Sequence, residues 1–367
     1  MQRIEVRAAS ASYDVVVEAG LLEHAHEHIG PLAEGRRLFV IADEGALGVQ
    51  GERLARGLAG LDVTMLPVAL GEERKRLGAV EELALRMHAA GADRKAIVVA
   101  FGGGIAGDIG GFVAASYMRG VDVIQIPTTL LAQVDASIGG KTGVNLASGK
   151  NLVGAFHQPR LVLIDPESLN TLPEREYRAG LNEVLKAGVI WSRDFFDFLV
   201  RERAAILARE PEPIERILAE AVRIKADVVA ADEREGHIRR ILNYGHTLGH
   251  GLEAETDYRL LLHGEAVAWG MIAAGRLGER IGVTPSEDRR EIEDAIRSYG
   301  TIPPLEGISP EAVAGRVAGD KKTIGGKAHF VLAERIGKVI VRDDVPHDDV
   351  VEATREALAA VAPEPVE

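Results

Sequence analysis

The chain has 367 residues, of which 46% are hydrophobic and 27% are charged, and it contains no cysteine. That length is sufficient for two domains with a substantial core. The lack of cysteine excludes disulfide bonds, thiolate nucleophiles and cysteine-ligated zinc. A net charge of -13 argues against binding to nucleic acid or to a membrane surface, because both usually require a basic face. No apolar run approaches the roughly 18 residues that span a bilayer and no signal peptide is recognisable, so we expect a cytoplasmic protein.

The N-terminal part of the chain alternates between strand and helix patterns. Two short β-rich runs predict an opening hairpin, and the apolar run 36–43 predicts a buried strand that ends at Asp43. Helix, strand and helix follow, and such alternation predicts a parallel sheet with right-handed crossovers. Asp43 at a strand end could bind an adenosine ribose, with Glu72 and Lys75 beside it at a helix start; capping and solvation are the alternative roles.

A glycine-rich turn then joins a strand to a helix. The apolar run 96–104 ends in three glycines, and a small-residue helix begins near Ile105. Without side chains, backbone N–H groups can approach a ligand closely, and the helix directs its partial positive end at an anion. A pyrophosphate would suit this turn, although the spacing is not G-x-G-x-x-G and a turn without a ligand is the alternative. The next strand ends in Thr128 and Thr129, at the sheet edge where α/β proteins bind ligands.

A glycine-rich segment with no hydrophobic period follows this second strand. It carries Asp135, Lys141, Lys150 and Asn151. A solvated surface loop is one interpretation of such a segment. Two lysines between glycines, directly after a turn of the nucleotide-binding type, favour anion ligands instead.

The second half of the chain has helical periodicity. After a last strand, two prolines mark a boundary near Leu172, which divides the chain into residues 1–172 and 173–367. Glu183 and Lys186 lie at i and i+3 on a helix that is otherwise apolar. They form either a surface ion pair or a metal-binding carboxylate with a neighbouring catalytic ammonium.

Histidines in the second half suggest a metal site. His246 and His250 lie one helical turn apart, with Asn243 and Arg239 one and two turns earlier, and His263 precedes a later apolar helix. A single histidine at such a position is more often a core or capping residue. Two separated histidines and a helix-borne carboxylate, however, form a three-ligand zinc set with an open fourth position, as in catalytic sites.

Three long segments carry a family resemblance. The chain reads GGGIAGDIGGFVAASYMRG at residues 102–120, IPTTLLAQVDASIGGKTGVN at 126–145 and GKNLVGAFHQP at 149–159. These segments resemble the 3-dehydroquinate synthase family, and the resemblance spans nearly the whole chain. It implies a Rossmann-like α/β domain that binds NAD, followed by an all-α domain that binds a divalent cation, zinc or cobalt, and the substrate.

The resemblance also implies roles for individual residues. Those that match the family's metal ligands are Glu183, His246 and His263. Those that match its catalytic and substrate-binding residues are Asp135, Lys141, Asn151, Lys186, Lys225, Arg239, Asn243, His250 and Lys321, although the adjacent Lys322 could take the place of Lys321. Those that match its cofactor-binding residues are Asp43, Glu72, Lys75, Gly103, Gly104, Ile105, Ala106, Gly107, Asp108, Thr128, Thr129, Lys141, Lys150, Ser168, Leu169, Asn170 and Thr171. Arg119 is expected to reach the site of a second subunit, which predicts a homodimer.

The expected reaction follows from this resemblance. The family converts 3-deoxy-D-arabino-heptulosonate 7-phosphate to 3-dehydroquinate and phosphate, a step of the shikimate pathway, by transient oxidation, phosphate elimination, reduction, ring opening and aldol closure. The residues alone fit a metal-dependent alcohol dehydrogenase, and the many lysines and arginines favour an anionic sugar acid. Another sugar-phosphate cyclase and a metal-dependent polyol dehydrogenase are the alternatives.

Overall fold

The structure is a computed structural model that describes residues 1–300, 302–319 and 328–361. Its strands are β1 (Gln2–Arg7), β2 (Ser12–Val17), β3 (Leu38–Asp43), β4 (Val63–Val68), β5 (Ile97–Gly102), β6 (Asp122–Pro127), β7 (Lys141–Leu146), β8 (Gly149–Phe156), β9 (Leu161–Ile164), β10 (Phe330–Arg335) and β11 (Lys338–Arg342). Its helices are α1 (Ala25–Ala33), α2 (Glu44–Gly57), α3 (Leu77–Ala89), α4 (Gly104–Ser116), α5 (Glu174–Trp191), α6 (Arg193–Arg201), α7 (Arg203–Leu207), α8 (Pro211–Ala231), α9 (His246–Glu255), α10 (His263–Arg280), α11 (Ser286–Tyr299), α12 (Pro310–Gly319) and α13 (His347–Ala360).

The chain divides into two compact units. The first comprises Met1–Pro173 and Arg209–Arg234, and the second comprises Glu174–Ala208 and Glu235–Glu367. The boundary predicted from the sequence assigns residues 209–234 to the second domain, whereas in the structure they pack with the first unit. The reason is that α8 contacts β1 and β2 and has a buried apolar face.

The first unit is built on a mostly parallel sheet. Its strand order in the described residues is β1-β2-β9-β6-β5-β3-β4. β1 and β2 pair antiparallel, as the predicted hairpin requires, and the other neighbours pair in parallel. Apart from their last residues, Asp43 and Gly102, β3 and β5 consist of apolar residues, and they are buried along nearly their whole length, as expected for strands covered on both faces.

Helices cover both faces of this sheet. Residues of α1 and α2 join one apolar cluster with the strands, and residues of α3 and α4 join another on the opposite face. β3 has β4 on one side and β5 on the other, so the chain reverses its direction of progress across the sheet at β3. In open α/β sheets, ligands bind at the carboxyl ends of the strands beside such a switch point. Asp43 ends β3 and Gly102 ends β5.

The segment that carries Lys141 and Lys150 forms a β-hairpin and not the predicted loop. Residues 141–156 form the antiparallel hairpin β7–β8, with Thr142 opposite Ala155. Val144 is fully buried and joins the apolar cluster of α3 and α4. A Cβ at Gly111 would overlap the side chain of Thr142, so this glycine lets α4 approach β7 closely. β7 has three consecutive buried residues and β8 has none, so neither strand has the period of two by which a sequence reveals a strand.

The second unit is helical, as predicted. Among its described residues, α5 and α10 pack together, α10 also contacts α9, α11 and α13, and α9 contacts α12. The prediction of an all-α domain did not include the antiparallel hairpin β10–β11, which packs on α5 and α10. In the described ranges, no helix combines the length and the apolar character that crossing a membrane requires.

Candidate active site

Three helices of the second unit bring together the predicted metal ligands. Glu183 lies in the middle of α5, His246 is the first residue of α9 and His263 is the first residue of α10. The Oε1 atom of Glu183 is 3.5 Å from Nε2 of His246 and 3.7 Å from Nε2 of His263. Both histidines therefore present the same ring nitrogen to one oxygen of a carboxylate that is only 2% exposed.

These distances fit a divalent metal ion. Ligand atoms about 2.1 Å from a tetrahedral zinc ion lie roughly 3.4 Å apart, close to the separations between Glu183 and the two histidines. A buried carboxylate also requires positive charge or hydrogen bonds nearby, because burial of an uncompensated charge is costly. Nitrogen and oxygen ligands of this kind suit zinc, and cobalt accepts the same set.

His250 and an additional acidic residue lie beside this trio. Ligand atoms of His246, His250 and His263 lie within 4.8 Å of one another, so His250 is a possible metal ligand by distance. Glu253, an additional acidic residue, is buried, and its Oε2 atom is 3.5 Å from Nδ1 of His263 and 4.0 Å from Nε2 of His250. Its spacing places it on the helical face that carries His246 and His250, which is the signal that could have identified it.

Lys186 forms an ion pair with Glu183 on the same face of α5. Both side chains are buried, so the surface ion pair considered from the sequence is excluded. A buried ammonium next to a carboxylate in a cluster of histidines is the arrangement expected of a functional site rather than of a solvated helix face.

Close packing fixes the two helices that carry Glu183 and His263. A Cβ at Gly264 would overlap the carbonyl oxygen of Ala179, so α10 begins in direct contact with the backbone of α5. Arg175 on α5 donates to both carboxylate oxygens of Glu265 at 2.7 and 2.8 Å. Glu265 in turn accepts a hydrogen bond from the backbone N–H of Leu262 at 2.8 Å, which caps α10.

We expect Gly264→Ala to lower the free energy of unfolding by about 1–3 kcal/mol, because overpacking forces the backbone apart. Zinc affinity should fall as well, since the added methyl group separates α5 from α10. Denaturant unfolding and zinc titration measure the two effects. Gly48→Ala is the matched control, because a Cβ at Gly48 on α2 meets no atom within 4 Å; it should be neutral or stabilising by up to about 1 kcal/mol. Equal stability of the two variants would contradict this role of Gly264.

The remaining predicted residues of the second unit lie before α9. Arg239 is 1% exposed and belongs to the short 3₁₀ helix Ile238–Asn243. The side-chain amide of Asn243 donates to Oε1 of Glu235 at 2.7 Å. Glu235 was not identified from the sequence, although it precedes Arg239 and Asn243 at the same four-residue spacing. Lys321 and Lys322 lie outside the described residues.

In the first unit, the predicted cofactor residues surround the switch point. A Cβ at Gly102 would lie 2.8 Å from Cβ of Asp43, and one at Gly103 would lie 3.1 Å from Cγ2 of Thr129. Gly102 has a φ of 143°, which other residues rarely adopt. The backbone N–H of Thr128 donates to the carbonyl of Gly102 at 2.9 Å. The two glycines thus let the end of β3 and the segment after β6 pack closely against the turn, at the amino end of α4, where the helix terminus favours an anion such as pyrophosphate.

Asp43 also caps α2, the helix that follows it. Its carboxylate accepts a hydrogen bond from the backbone N–H of Ala46 at 3.1 Å and caps α2. The capping role considered from the sequence is therefore confirmed. The second carboxylate oxygen leaves capacity for a ribose hydroxyl, so capping does not exclude cofactor binding.

Lys75 organises a polar network beside α4. Its buried ammonium pairs with Asp108 and donates to Oδ1 of Asn151 at 2.6 Å. Burial raises the pKa of Asp108, and the charge of Lys75 opposes that shift. Asn145, which was not predicted from the sequence to be a site residue, links this network to Glu72. Its side-chain amide donates to Oε1 of Glu72 at 2.8 Å, and its Oδ1 atom accepts from the backbone N–H of Asn151 at 2.8 Å. Lys75, Glu72 and Asn151 are therefore brought together.

The other lysines predicted in the first unit differ in their surroundings. The Nζ atom of Lys150 lies 3.6 Å from Oε1 of Glu72. Lys225 on α8 is buried, and its ammonium bonds Asp135 through Oδ1 at 2.6 Å and through the backbone carbonyl. Asp135 lies in the π-helical turn Ala132–Ala136, a rare element that is frequent at functional sites. Lys141 and Arg119 are exposed, and Arg119 has a left-handed φ of 74°.

The last predicted cofactor residues occupy two helical turns. Ile105, Ala106 and Gly107 form the first turn of α4, next to the glycine turn. Within the 3₁₀ helix Pro166–Thr171, Ser168 accepts a hydrogen bond from Gln133 at 2.9 Å and Thr171 accepts one from Gln50 at 2.7 Å. Leu169 is buried and Asn170 is exposed. Whether residues 168–171 contact a cofactor stays a prediction of the resemblance.

Two family models match the chain over consecutive ranges. The 3-dehydroquinate synthase N-terminal model matches residues 65–179, and the 3-dehydroquinate synthase C-terminal model matches residues 180–323. A 3-dehydroquinate synthase from Solibacter usitatus (strain Ellin6076) is 52% identical over 96% of this chain and 99% of that protein. The chain belongs to the 3-dehydroquinate synthase family. The family resemblance seen in the sequence is thereby confirmed.

Solved structures agree with this family membership. The 2-epi-5-epi-valiolone synthase from Streptomyces hygroscopicus subsp. jinggangensis 5008, with NAD+ and Zn2+ bound, is 32% identical, with a TM-score of 0.86 and coverage of 95% of this chain and 97% of that one. A 2-deoxy-scyllo-inosose synthase complexed with carbaglucose-6-phosphate, NAD+ and Co2+ is 28% identical, with a TM-score of 0.88 and coverage of 97% and 99%. The predicted fold class is therefore confirmed.

Proposed function

We propose that this chain is a 3-dehydroquinate synthase, which converts 3-deoxy-D-arabino-heptulosonate 7-phosphate to 3-dehydroquinate and phosphate. The cluster of Glu183, His246 and His263, with Lys186 against the carboxylate, is the observation that carries the proposal. Two histidines around a buried carboxylate have no evident role in a binding protein without a metal, so this set favours an enzyme. The high identity to a named 3-dehydroquinate synthase favours this member of the superfamily over other cyclases.

The two cofactors would be held by different units. Glu183, His246 and His263 would hold a zinc or cobalt ion, as the distances between their ligand atoms allow. The glycine turn and the start of α4 would hold the pyrophosphate of NAD, with Asp43 near a ribose. When bound, the divalent ion would acidify a neighbouring hydroxyl group, and NAD would accept and return hydride.

The side chains around these groups would bind and orient the substrate. A substrate with a phosphate and a carboxylate requires local positive charge in a chain whose net charge is -13. Lys141, Lys186, Lys225, Arg239 and Lys321 would supply that charge. Ammonium and guanidinium groups form strong, charge-assisted hydrogen bonds to phosphate and carboxylate oxygens. Asp135 would orient Lys225, with which it forms an ion pair.

His250 is the group best placed to move a proton. Its Nε2 atom lies 4.0 Å from the carboxylate of Glu253, and its ring is 5.3 Å from that of His246. His250 is half-buried beside a carboxylate, and an imidazole can accept a proton at one ring nitrogen and donate one from the other. Asn243, held by Glu235, would orient a substrate hydroxyl group through its remaining hydrogen-bonding capacity.

The overall reaction should be redox-neutral, so NADH should not accumulate during turnover. We expect many equivalents of phosphate to be released per NAD bound, because hydride that leaves the substrate returns before the product is released. Free phosphate and the absorbance of NADH would be followed in parallel, with 3-dehydroquinate identified by mass spectrometry. Glucose 6-phosphate and glycerol, in place of the heptulosonate phosphate, serve as controls for another cyclase and for a polyol dehydrogenase.

Each alternative has a distinct result in this assay. Stoichiometric NADH formation without phosphate release would identify a dehydrogenase. Faster phosphate release from glucose 6-phosphate than from the heptulosonate phosphate would identify another sugar-phosphate cyclase. Either result would overturn the proposal. The homodimer, with Arg119 reaching the second subunit, and the cytoplasmic location stay predictions.

A further inference from the structure

His263 has an acidic group at each of its ring nitrogens. Its Nε2 atom faces Oε1 of Glu183 at 3.7 Å, and its Nδ1 atom faces Oε2 of Glu253 at 3.5 Å. The ring thus lies between the proposed metal ligand on α5 and a second carboxylate on α9. The two contacts use opposite edges of the imidazole, so Glu253 does not compete with Glu183 for the same nitrogen.

His246 has the same arrangement with a different partner. Its Nε2 atom faces Oε1 of Glu183 at 3.5 Å, and its Nδ1 atom is 3.2 Å from the backbone carbonyl oxygen of Tyr244. Each of the two histidines therefore presents Nε2 to Glu183 and Nδ1 to an oxygen. A carbonyl oxygen can only accept, which places the hydrogen of His246 on Nδ1.

The negative charge of Glu253 requires a partner, because the side chain is buried. It is 3% exposed, and a buried carboxylate is costly unless it is paired or hydrogen-bonded. It lies seven residues after His246 and three after His250 on α9, so the three side chains share one face of the helix. Nδ1 of His263, on another helix, lies at ion-pair distance from it, 3.5 Å from Oε2.

We propose that Glu253 is a positioning residue for the metal site: its carboxylate holds the hydrogen of His263 on Nδ1 and so directs the lone pair of Nε2 toward the ion held by Glu183. This inference rests on the proposed function, because it requires a metal ion at that position. A metal-bound histidine usually donates its other N–H to a carboxylate or a carbonyl, and such a partner fixes the ring orientation and raises the basicity of the ligand. Tyr244 supplies the carbonyl for His246, and Glu253 supplies the carboxylate for His263.

The test compares Glu253→Gln with Glu255→Gln in the full-length protein. Glutamine keeps the size of the side chain but removes the charge that holds the imidazole. Glu255 lies on the same helix, is 24% exposed at its side chain and pairs with Arg316 at 3.0 Å, so it is a matched control away from the histidines. We expect Glu253→Gln to raise the Kd for zinc about 10–100-fold, and Glu255→Gln to leave it unchanged. Competition with a chromophoric chelator measures both values.

Two further measurements separate positioning from a structural role. The visible absorption of the Co2+-substituted protein should change in Glu253→Gln, because it reports ligand geometry at the metal. In the His263→Ala background, Glu253→Gln should have no further effect on the zinc Kd, because the ligand that it positions is gone. Thermal unfolding of the metal-free proteins and NAD binding should match the parent within error; a loss of zinc affinity that merely follows unfolding would appear in these controls and would overturn the inference.

The outcomes also distinguish this inference from the proposed function. If His263→Ala loses zinc but Glu253→Gln keeps the parental Kd and cobalt spectrum, the positioning role is wrong and the metal site stands. If His263→Ala binds zinc as tightly as the parent, the metal site itself is wrong, and both fail. A weaker zinc site in Glu253→Gln, with an altered cobalt spectrum and an unchanged apo-protein, establishes the role.

Discussion

Replacing Glu183 by glutamine is expected to weaken zinc binding by about 10²–10³-fold and to remove most of the activity. Structural zinc sites with four ligands bind with about 10–16 kcal/mol, so each ligand contributes roughly 2.5–4 kcal/mol on average. An amide oxygen carries no charge, whereas the carboxylate of Glu183 faces the Nε2 atoms of both histidines at 3.5 and 3.7 Å. Metal content after dialysis and a competition titration measure the loss.

The same substitution should also destabilise the protein. Glu183 and Lys186 form a buried ion pair, and removal of one partner of such a pair costs about 3–5 kcal/mol. Glu174→Gln on the same helix is the matched control, because its ion pair with Arg178 is exposed at the surface and such pairs contribute at most about 1 kcal/mol. If Glu183→Gln and Glu174→Gln retained equal zinc and equal stability, Glu183 would not be a ligand.

Much of the first unit was predictable because its strands are short, apolar and bounded by turns. The run that ends at Asp43 and the run that ends at Gly102 are buried strands, and their carboxyl ends meet at the switch point of the sheet. The sequence order of strands and helices implies that arrangement, since parallel strands need crossover helices. The sequence therefore predicts the position of the glycine turn between β5 and α4 correctly.

The hairpin β7–β8 was not predictable in the same way. Its sequence mixes irregularly spaced glycines with polar and apolar residues, so neither a period of two nor one of 3.6 dominates. Its order arises from tertiary contact: Val144 is buried beneath α4, and Gly111 gives the strand room to approach. The packing of α8 on the first unit is likewise a long-range effect, because a helical pattern does not reveal which partner its apolar face covers.

The candidate site was predictable where residues of one type recur at a fixed spacing. The four-residue spacing of His246 and His250 places both on one face of a helix, and the three-residue spacing of Glu183 and Lys186 does the same on another helix. Asn145 was missed because a single amide residue has no signature of its own, whereas Glu253 and Glu235 continue the regular spacing of neighbouring site residues and could have been identified from it. Their partners come from distant segments or from a turn, as in the contact between Glu253 and His263, and only the structure brings them together.

Arg239→Lys tests the anion-binding role that separates a cyclase from a simple dehydrogenase. We expect kcat/KM for the heptulosonate phosphate to fall about 10²-fold, although the positive charge is kept. A guanidinium can donate two parallel hydrogen bonds to a phosphate or carboxylate, whereas an ammonium acts as a point charge. Each hydrogen bond to a charged group contributes about 1.5–3 kcal/mol. Because Arg239 is 1% exposed, water cannot readily replace the lost contact.

The adjacent Arg240 makes this experiment selective. It is more exposed than Arg239 and lies on the same 3₁₀ helix, so Arg240→Lys changes the same chemistry in nearly the same backbone. We expect Arg240→Lys to keep the parental kcat/KM, and both variants to keep the parental zinc affinity, because neither arginine belongs to the proposed ligand set. Unchanged kcat/KM in a folded Arg239→Lys protein would remove Arg239 from the substrate site. A fall in kcat/KM together with a loss of zinc would show that Arg239 acts through the metal site and not on an anion. A fall in kcat/KM with zinc retained means that the guanidinium recognises the substrate itself.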